Sequence, residues 1–401
     1  MSGIHEKNAH SALAQSLAEQ ARDFVEKRII PNEAAISAGG EVAELIHTQL
    51  IDEARKAGLW GVFYPLSHGG KLSSLEDYLI VAEQEGRTEF SQSIFGSHSS
   101  LDAHMMLKHG NATIQKNFLE PMAAGKAISS YAMTEPDHGG SFPSLISSTA
   151  KLENGHWVIN ARKWFVCNTA QAAFATVLVR TATDEKTPIS KALSMILVPT
   201  SSDGFKVERE ISMLGRDLGQ GEMSFTNVKV PQENLIGTEG GGIALMGERL
   251  GIGRLLRAMH WLGLAQRCFD LMGARVHSPR GISARLPEKQ LVRQHFVKAH
   301  QAIVSARELV RIAARLVDAE LLSDIEVNTA KMAASEALCL ASDSAMQLYG
   351  AEGISDLTPL AGIYRIARTT RILDGSDEAL TSSVGRRLVD AYKDGGEYRF
   401  D

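Results

Sequence analysis

The chain has 401 residues, 44% of them hydrophobic and 22% charged, with a formal net charge of -5. This is an ordinary globular composition, long enough for two or three domains, with no basic footprint for nucleic acid or an anionic membrane. No apolar run approaches the ~20 residues of a membrane span; Cys167, Cys268 and Cys339 match no disulfide or zinc spacing, and the thirteen histidines form no metal-binding pair.

The first residues, MSGIHEKNAHSALAQSLAEQ, lack both an apolar signal core and an Arg-rich, acid-poor composition, so no secretory or import signal is expected. A reducing cytoplasm is the expected compartment. From residue 9 to about 125, SALAQSLAEQARDFVEKRI, EVAELIHTQLIDEARKAG, LEDYLIVAEQEGR and QSIFGSHSSLDAHMMLKHG repeat apolar residues every three or four positions. They predict helices separated by Gly or Pro.

From about 131 to 237 the period falls to two. KLENGHWVINARKWFV carries an Asn-Gly between β-rich runs, the signal of a hairpin. FATVLVRT, ALSMILVPT, GFKVEREI and GEMSFTNVKV continue the pattern, predicting a small, mainly antiparallel β domain. From about 240 the helical period returns in LLRAMHWLGLAQRCFDLMGARV, PEKQLVRQHFVKAHQAIVSARELVRIAARLVDAE, VNTAKMAASEALCLASDSAMQLYG and a last helix after Asp374. Four long amphipathic helices suit a bundle. The expected fold is therefore α+β: an N-terminal helical domain (1–130), a middle antiparallel β domain (131–240) and a C-terminal four-helix bundle (241–401). Gly139-Gly140 and Gly240-Gly241-Gly242 fall near the inferred junctions, where flexible backbone is expected.

Five segments carry the functional signal: YAMTEPDHGGSF (131–142), NARKWFVCN (160–168), FTNVKVPQENLIG (225–237), QLYGAEGISDLTP (347–359) and RTTRILDGSDEALTSSVGRRL (368–388). Each has a plain local reading. Asp-Gly-Ser is a turn and helix cap, Gln347 to Gly350 a helix end, and Phe165 a core residue. Their order and separation within a helix–sheet–helix chain are more specific. Over nearly its whole length the sequence resembles the acyl-CoA dehydrogenase family.

That resemblance implies FAD bound between the β domain and the bundle, and assembly as a homotetramer or homodimer. Tyr131, Met133 and Thr134 would run past the flavin ring, offering backbone groups and the Thr134 hydroxyl. Phe165, Val166 and Cys167 would face the ring; at Cys167 most members carry Thr or Ser, and a thiol is the weaker donor. Gln347, Gly350 and Ala351 match the segment that crosses to a neighbouring subunit's FAD. Ser376 and Glu378 match positions near its diphosphate and adenosine end. Arg280, in the degraded stretch HSPRGIS, is the candidate for the arginine that reaches the neighbouring FAD. Ser141, Arg254 and Gly375 match positions beside the acyl-CoA.

The family reaction removes a proton from the carbon next to a thioester and passes a hydride from the next carbon to flavin N5, giving a 2-enoyl-CoA. Such a proton needs a desolvated base and donors for the developing enolate oxygen. In the family these donors are the base residue's own N–H and a ribityl hydroxyl. A dry slot is also expected to make the carboxylate a stronger base. Asp374 falls where many members carry the catalytic Glu. The other known base position corresponds to Gly253, which has no acid. Asp is shorter than Glu by about 1.5 Å, so the expected substrate is non-standard: branched, hydroxylated or cyclic. Branches with Asp here include relatives linked to 4-hydroxyacyl-CoA breakdown and the nitroalkane oxidases. The expected electron acceptor is an electron-transferring flavoprotein. Two alternatives stand beside this reading: a flavin oxidase of the nitroalkane type acting without CoA, and a catalytically inactive flavoprotein homologue. Neither nucleic acid nor a membrane span is expected.

Overall fold

The computed structural model describes residues 10–140, 142–184, 186–321 and 323–399. In chain order its principal helices begin with α1 (Ala12–Phe24), α2 (Gly40–Lys56), α3 (Leu75–Glu85) and α4 (Ser100–His109). The strands are β1 (Ser129–Ala132), β2 (Thr149–Glu153), β3 (His156–Cys167), β4 (Phe174–Arg180), β5 (Leu193–Pro199), β6 (Phe205–Glu210), β7 (Gln220–Pro231) and β8 (Leu235–Ile236). Five helices follow: α5 (Gly242–Val276), α6 (Gln290–Asp318), α7 (Asp324–Tyr349), α8 (Leu360–Thr370) and α9 (Asp377–Asp390).

The chain packs into two compact units. Of the described residues, one holds those up to Phe63, Leu72–Ser97 and those from Gly251; the other holds Tyr64–Lys71 and those of His98–Leu250. Packing thus joins the first and last helices of the chain, which lie far apart in sequence.

In the second unit the sheet runs β6-β7-β3-β2-β4-β5-β8, with β1 paired to β4 in parallel. The β2–β3 hairpin turns at Asn154 and Gly155, both with positive φ (49° and 76°), as a two-residue Asn-Gly loop requires. β4 and β5 are apolar at almost every position because both faces of the sheet are covered. Phe174, Leu178, Leu193, Met195 and Leu197 face a core shared with Met105, Met106, Phe118 and Leu119. Ala175, Val177, Val179, Ile196 and Val198 face the other way, onto Trp157, Ile159, Met223 and Phe225. This is the alternation of a strand buried on both sides.

The first unit is helical. α6 buries Val292, Ala299, Ile303, Ala306, Val310 and Ala313 at three-, four- and seven-residue spacing, one stripe of an amphipathic helix. Its last residue, Asp318, accepts from the Leu75 and Glu76 backbone N–H groups (2.7 and 3.0 Å) at the start of α3, where an anion is favoured. α3 and α5 meet at glycines. A Cβ at Gly86 would sit 2.2 Å from the His260 carbonyl oxygen, and one at Gly263 would sit 2.0 Å from that of Glu83.

Two details differ from the sequence expectation. The helix after the β domain starts at Gly242 and runs 35 residues. A Cβ on Gly242 would lie 2.7 Å from the Leu193 carbonyl oxygen, so that glycine permits close packing instead of a hinge. The helical region also contains α8, a helix not separated from its neighbours by the sequence reading. It follows Pro359 and buries Leu360, Ile363, Ala367 and Thr370 at helical spacing. Among the described residues no helix is long and apolar enough to cross a membrane, and no cluster of three or more metal-ligating side chains occurs.

Candidate active site

In the β unit the structure brings two of the predicted segments together. Trp164 N–H donates to the Thr134 carbonyl at 3.0 Å, and the Thr134 hydroxyl donates to the Trp164 carbonyl at 2.6 Å. Lys163, fully buried, donates to the Met133 carbonyl (2.9 Å) and to Glu135 Oε1 (2.8 Å). Glu135 in turn accepts from the Ser147 and Ser148 N–H groups and the Ser147 hydroxyl. Burial works to raise the Glu135 pKa. The Lys163 charge and these hydrogen bonds outweigh it and hold the carboxyl at about 2.

Between Lys163 and Val166 the register of β3 against β7 slips, and Phe165 takes φ 48°. A bulge re-aims a side chain: Phe165 stays 44% exposed on its strand while Val166 is buried. A large non-glycine residue at positive φ is uncommon, and such backbone clusters at functional sites. Cys167 Sγ accepts from the Gln220 side-chain amide at 2.8 Å, and its carbonyl accepts from the Ser130 hydroxyl. The Tyr131 ring packs under the Arg249 guanidinium, 3.8 Å from ring centroid to Cζ. Its hydroxyl is buried without a hydrogen-bond partner among the described residues, and burial raises its pKa. Ser141 lies outside the described residues.

In the helical unit the Asp374 turn is held from several sides. Asp374 has φ 56° and Gly375 φ 99°; Asp tolerates the left-handed region better than most residues, and Gly375 adopts it without a Cβ penalty. Arg254 Nε donates to the Asp374 carbonyl at 2.8 Å, and its Nη1 donates to Asn328 Oδ1 at 2.9 Å. Burial lowers the Arg254 pKa against the charges of Asp374 and Asp324. Lys331, fully buried, donates to the Gly375 carbonyl (3.0 Å) and to Asp377 Oδ1 (2.8 Å). Arg371 pairs with the other Asp377 oxygen. The Ser376 hydroxyl accepts from Ala379 N–H and caps α9, as the local reading of the sequence predicts, while Glu378, two residues on, is exposed.

The Asp374 carboxylate itself meets Arg257. Nε of Arg257 lies 2.8 Å from Oδ2 as an ion pair, outside hydrogen-bond geometry, and Oδ2 is shut off from solvent. Oδ1 and the Asp374 N–H have no hydrogen-bond partner among the described residues. Sequence reasoning missed Arg257, Asn328, Lys331 and Arg371. Arg257 alone carried a signal: it lies three residues after Arg254 on one helix, hence on nearly the same face.

A third group gathers at the end of α7. Gln347, Gly350 and Ala351 are exposed, and Gly350 ends the helix with φ 64°. Arg280 pairs with Glu352, which also binds Arg275 at 3.1 Å.

Three family models match the chain in order: the N-terminal domain of acyl-CoA dehydrogenase over residues 11–126, the middle domain over 130–228 and the C-terminal domain over 240–389. Acyl-CoA dehydrogenase family member 11 of Mus musculus is 31% identical over 397 residues, covering 94% of this chain and 50% of its own length. The Mycobacterium tuberculosis protein named "Probable acyl-CoA dehydrogenase FadE2" is 31% identical over 392 residues, covering 94% of this chain and 96% of its own. The solved glutaryl-coenzyme A dehydrogenase in complex with glutaryl-CoA superposes with a TM-score of 0.84 at 25% identity, covering 98% of this chain and 99% of that one. The chain spans about half the length of the mouse relative. Matched across all three domain models, in fold and in sequence, this chain belongs to the acyl-CoA dehydrogenase family.

Proposed function

We propose that the chain is an FAD-dependent acyl-CoA dehydrogenase in which Asp374 takes the proton from the carbon next to the thioester, giving a 2-enoyl-CoA. The observation that carries this reading is the Asp374 turn. Its carbonyl is anchored by Arg254, while Oδ1 and the N–H are engaged by none of the described residues. A base and an oxyanion donor are thereby offered by one residue. At the other family position for a base stands Gly253, which cannot serve.

The residues of the β unit fit a flavin. What supports this is an exposed aromatic side chain on strained backbone next to the 131–134 segment, which the Trp164 and Lys163 hydrogen bonds hold in place; the Thr134 hydroxyl donates to the Trp164 carbonyl instead of standing free for the ring. Tyr131, Met133, Thr134, Phe165, Val166 and Cys167 would hold the ring, and Ser376 and Glu378 the rest of the cofactor. Gln347, Gly350, Ala351 and Arg280 would serve the FAD of a neighbouring subunit in a homodimer or homotetramer. When bound, FAD supplies the hydride acceptor. Asp374 holds the proton, and Arg254 and Gly375 shape the wall beside the thioester.

The short base favours a branched, hydroxylated or cyclic acyl-CoA, because positioning errors of an ångström are costly in rate. Electrons would leave to an electron-transferring flavoprotein. Anaerobic bleaching of the holoenzyme against a panel of acyl-CoAs tests the proposal: bleaching by a branched or hydroxylated member and slow reoxidation in air are expected. Bleaching by nitroalkanes with rapid reoxidation in air would overturn it in favour of an oxidase. In the same assay Asp374→Glu is expected to improve turnover of saturated straight-chain acyl-CoAs.

A further inference from the structure

α5 presents two arginines to one turn. Arg254 grips the Asp374 carbonyl, and Arg257, three residues on, lies 2.8 Å from the carboxylate Oδ2. We propose that Arg257 is a positioning residue, holding the Asp374 side chain by Oδ2 so that Oδ1 is the oxygen presented to the substrate proton. The inference rests on the reading of Asp374 as the base.

The need for such a holder follows from the geometry. Left-handed backbone at residue 374 and the Arg254 hydrogen bond determine where Cβ points. They do not determine the carboxylate plane, because the terminal torsion of Asp is broad and roughly two-fold. Asp377, three residues on, has that freedom removed by Lys331, Ser335 and Arg371. Arg254 and Lys331 act on the Asp374 charge from further off, but among the described residues only Arg257 forms an ion pair with its carboxylate, and the contact falls on one oxygen. The carboxylate side chain is 18% exposed and Arg257 37% exposed. Removing the guanidinium therefore lets water in instead of opening a core cavity, and the fold is expected to survive.

The test uses the holoenzyme in anaerobic stopped flow, with the acyl-CoA that bleaches the wild-type flavin fastest. Arg257→Gln is expected to lower the limiting rate of flavin reduction about 10- to 100-fold, the scale of a misplacement near 1 Å, with the Kd for that acyl-CoA unchanged. Arg257→Lys keeps a cation without the guanidinium fork and should fall between. In Arg257→Ala, added ethylguanidinium should restore part of the lost rate, and it should restore nothing in Asp374→Asn. Wild-type reduction rates in Arg257→Gln, a defect confined to Kd, or absence of rescue overturns the inference. If Asp374→Asn is inactive while Arg257→Gln is normal, only this inference falls. If Asp374→Asn still reduces its flavin, the base assignment beneath it falls as well.

Discussion

The two units hold the segments 133–135 and 375–377 with the same device. In the β unit a fully buried Lys163 donates to the Met133 carbonyl and to the carboxylate of Glu135, two residues on. In the helical unit a fully buried Lys331 donates to the Gly375 carbonyl and to the carboxylate of Asp377, again two residues on. A lysine has three donors and no acceptor, so one side chain can tie a backbone oxygen and a nearby acid into a single rigid loop. The difference lies in what stands beside the clamp. Glu135 is wholly consumed by Lys163 and by Ser147 and Ser148. In the helical unit the clamp takes Asp377 and leaves Asp374, three residues earlier, with neither carboxylate oxygen hydrogen-bonded by the described residues and only Oδ2 in an ion pair. Identical chemistry therefore yields a structural acid in one place and an adjacent, reachable acid in the other.

The largest expected effect comes from exchanging that reachable acid. Asp374→Asn should retain FAD and lower substrate-driven flavin reduction about 10²- to 10⁴-fold, the usual worth of a general base; unchanged reduction in stopped flow would remove Asp374 from the chemistry. Next come the clamps. Lys163→Met leaves Glu135 buried without its cation and should cost about 3–5 kcal/mol in urea unfolding. Lys331→Met leaves Asp377 still paired with Arg371 and should cost less, about 1–3 kcal/mol. Equal losses would show that Arg371 gives no cover and that the two clamps are equivalent.

Acid titration sharpens the same contrast. The folded Glu135 pKa, about 2, lies below its ordinary 4.5. Its contribution is therefore present in full above about pH 4.5 and is lost as pH falls toward 2. The urea midpoint of the wild type should drop over that window, and the part owed to Glu135 should shrink in Lys163→Met. The smallest effect is expected from the cap: Ser376→Ala should cost about 1 kcal/mol by thermal melting, with Lys331 and Arg254 still holding the turn.

Much of this was readable in advance. Helical and strand periods, the Asn154-Gly155 hairpin and the Ser376 cap follow from rules that act within a few residues, and each appears as expected. The motif residues of 131–134 and 165–167 were legible as a group, and the ladder between Thr134 and Trp164 joins them. Partners of the turn were not legible. Lys331 lies 46 residues from Asp377 in sequence, and Arg254 lies 120 from Asp374. Lys331 sits in an alanine-rich helix where nothing local distinguishes a buried lysine from a solvated one.

By itself, then, the sequence determined the period of each segment, the places where the chain turns, and the acid at residue 374. These depend on backbone sterics and side-chain shape acting at short range. Only the tertiary structure decided which cation meets which carboxylate, that Asp377 is consumed while Asp374 is not, and that the chain's first and last helices share one unit. Those outcomes depend on burial and on approach distances between elements far apart in the chain, where a shift of one helical turn would exchange one partner for another.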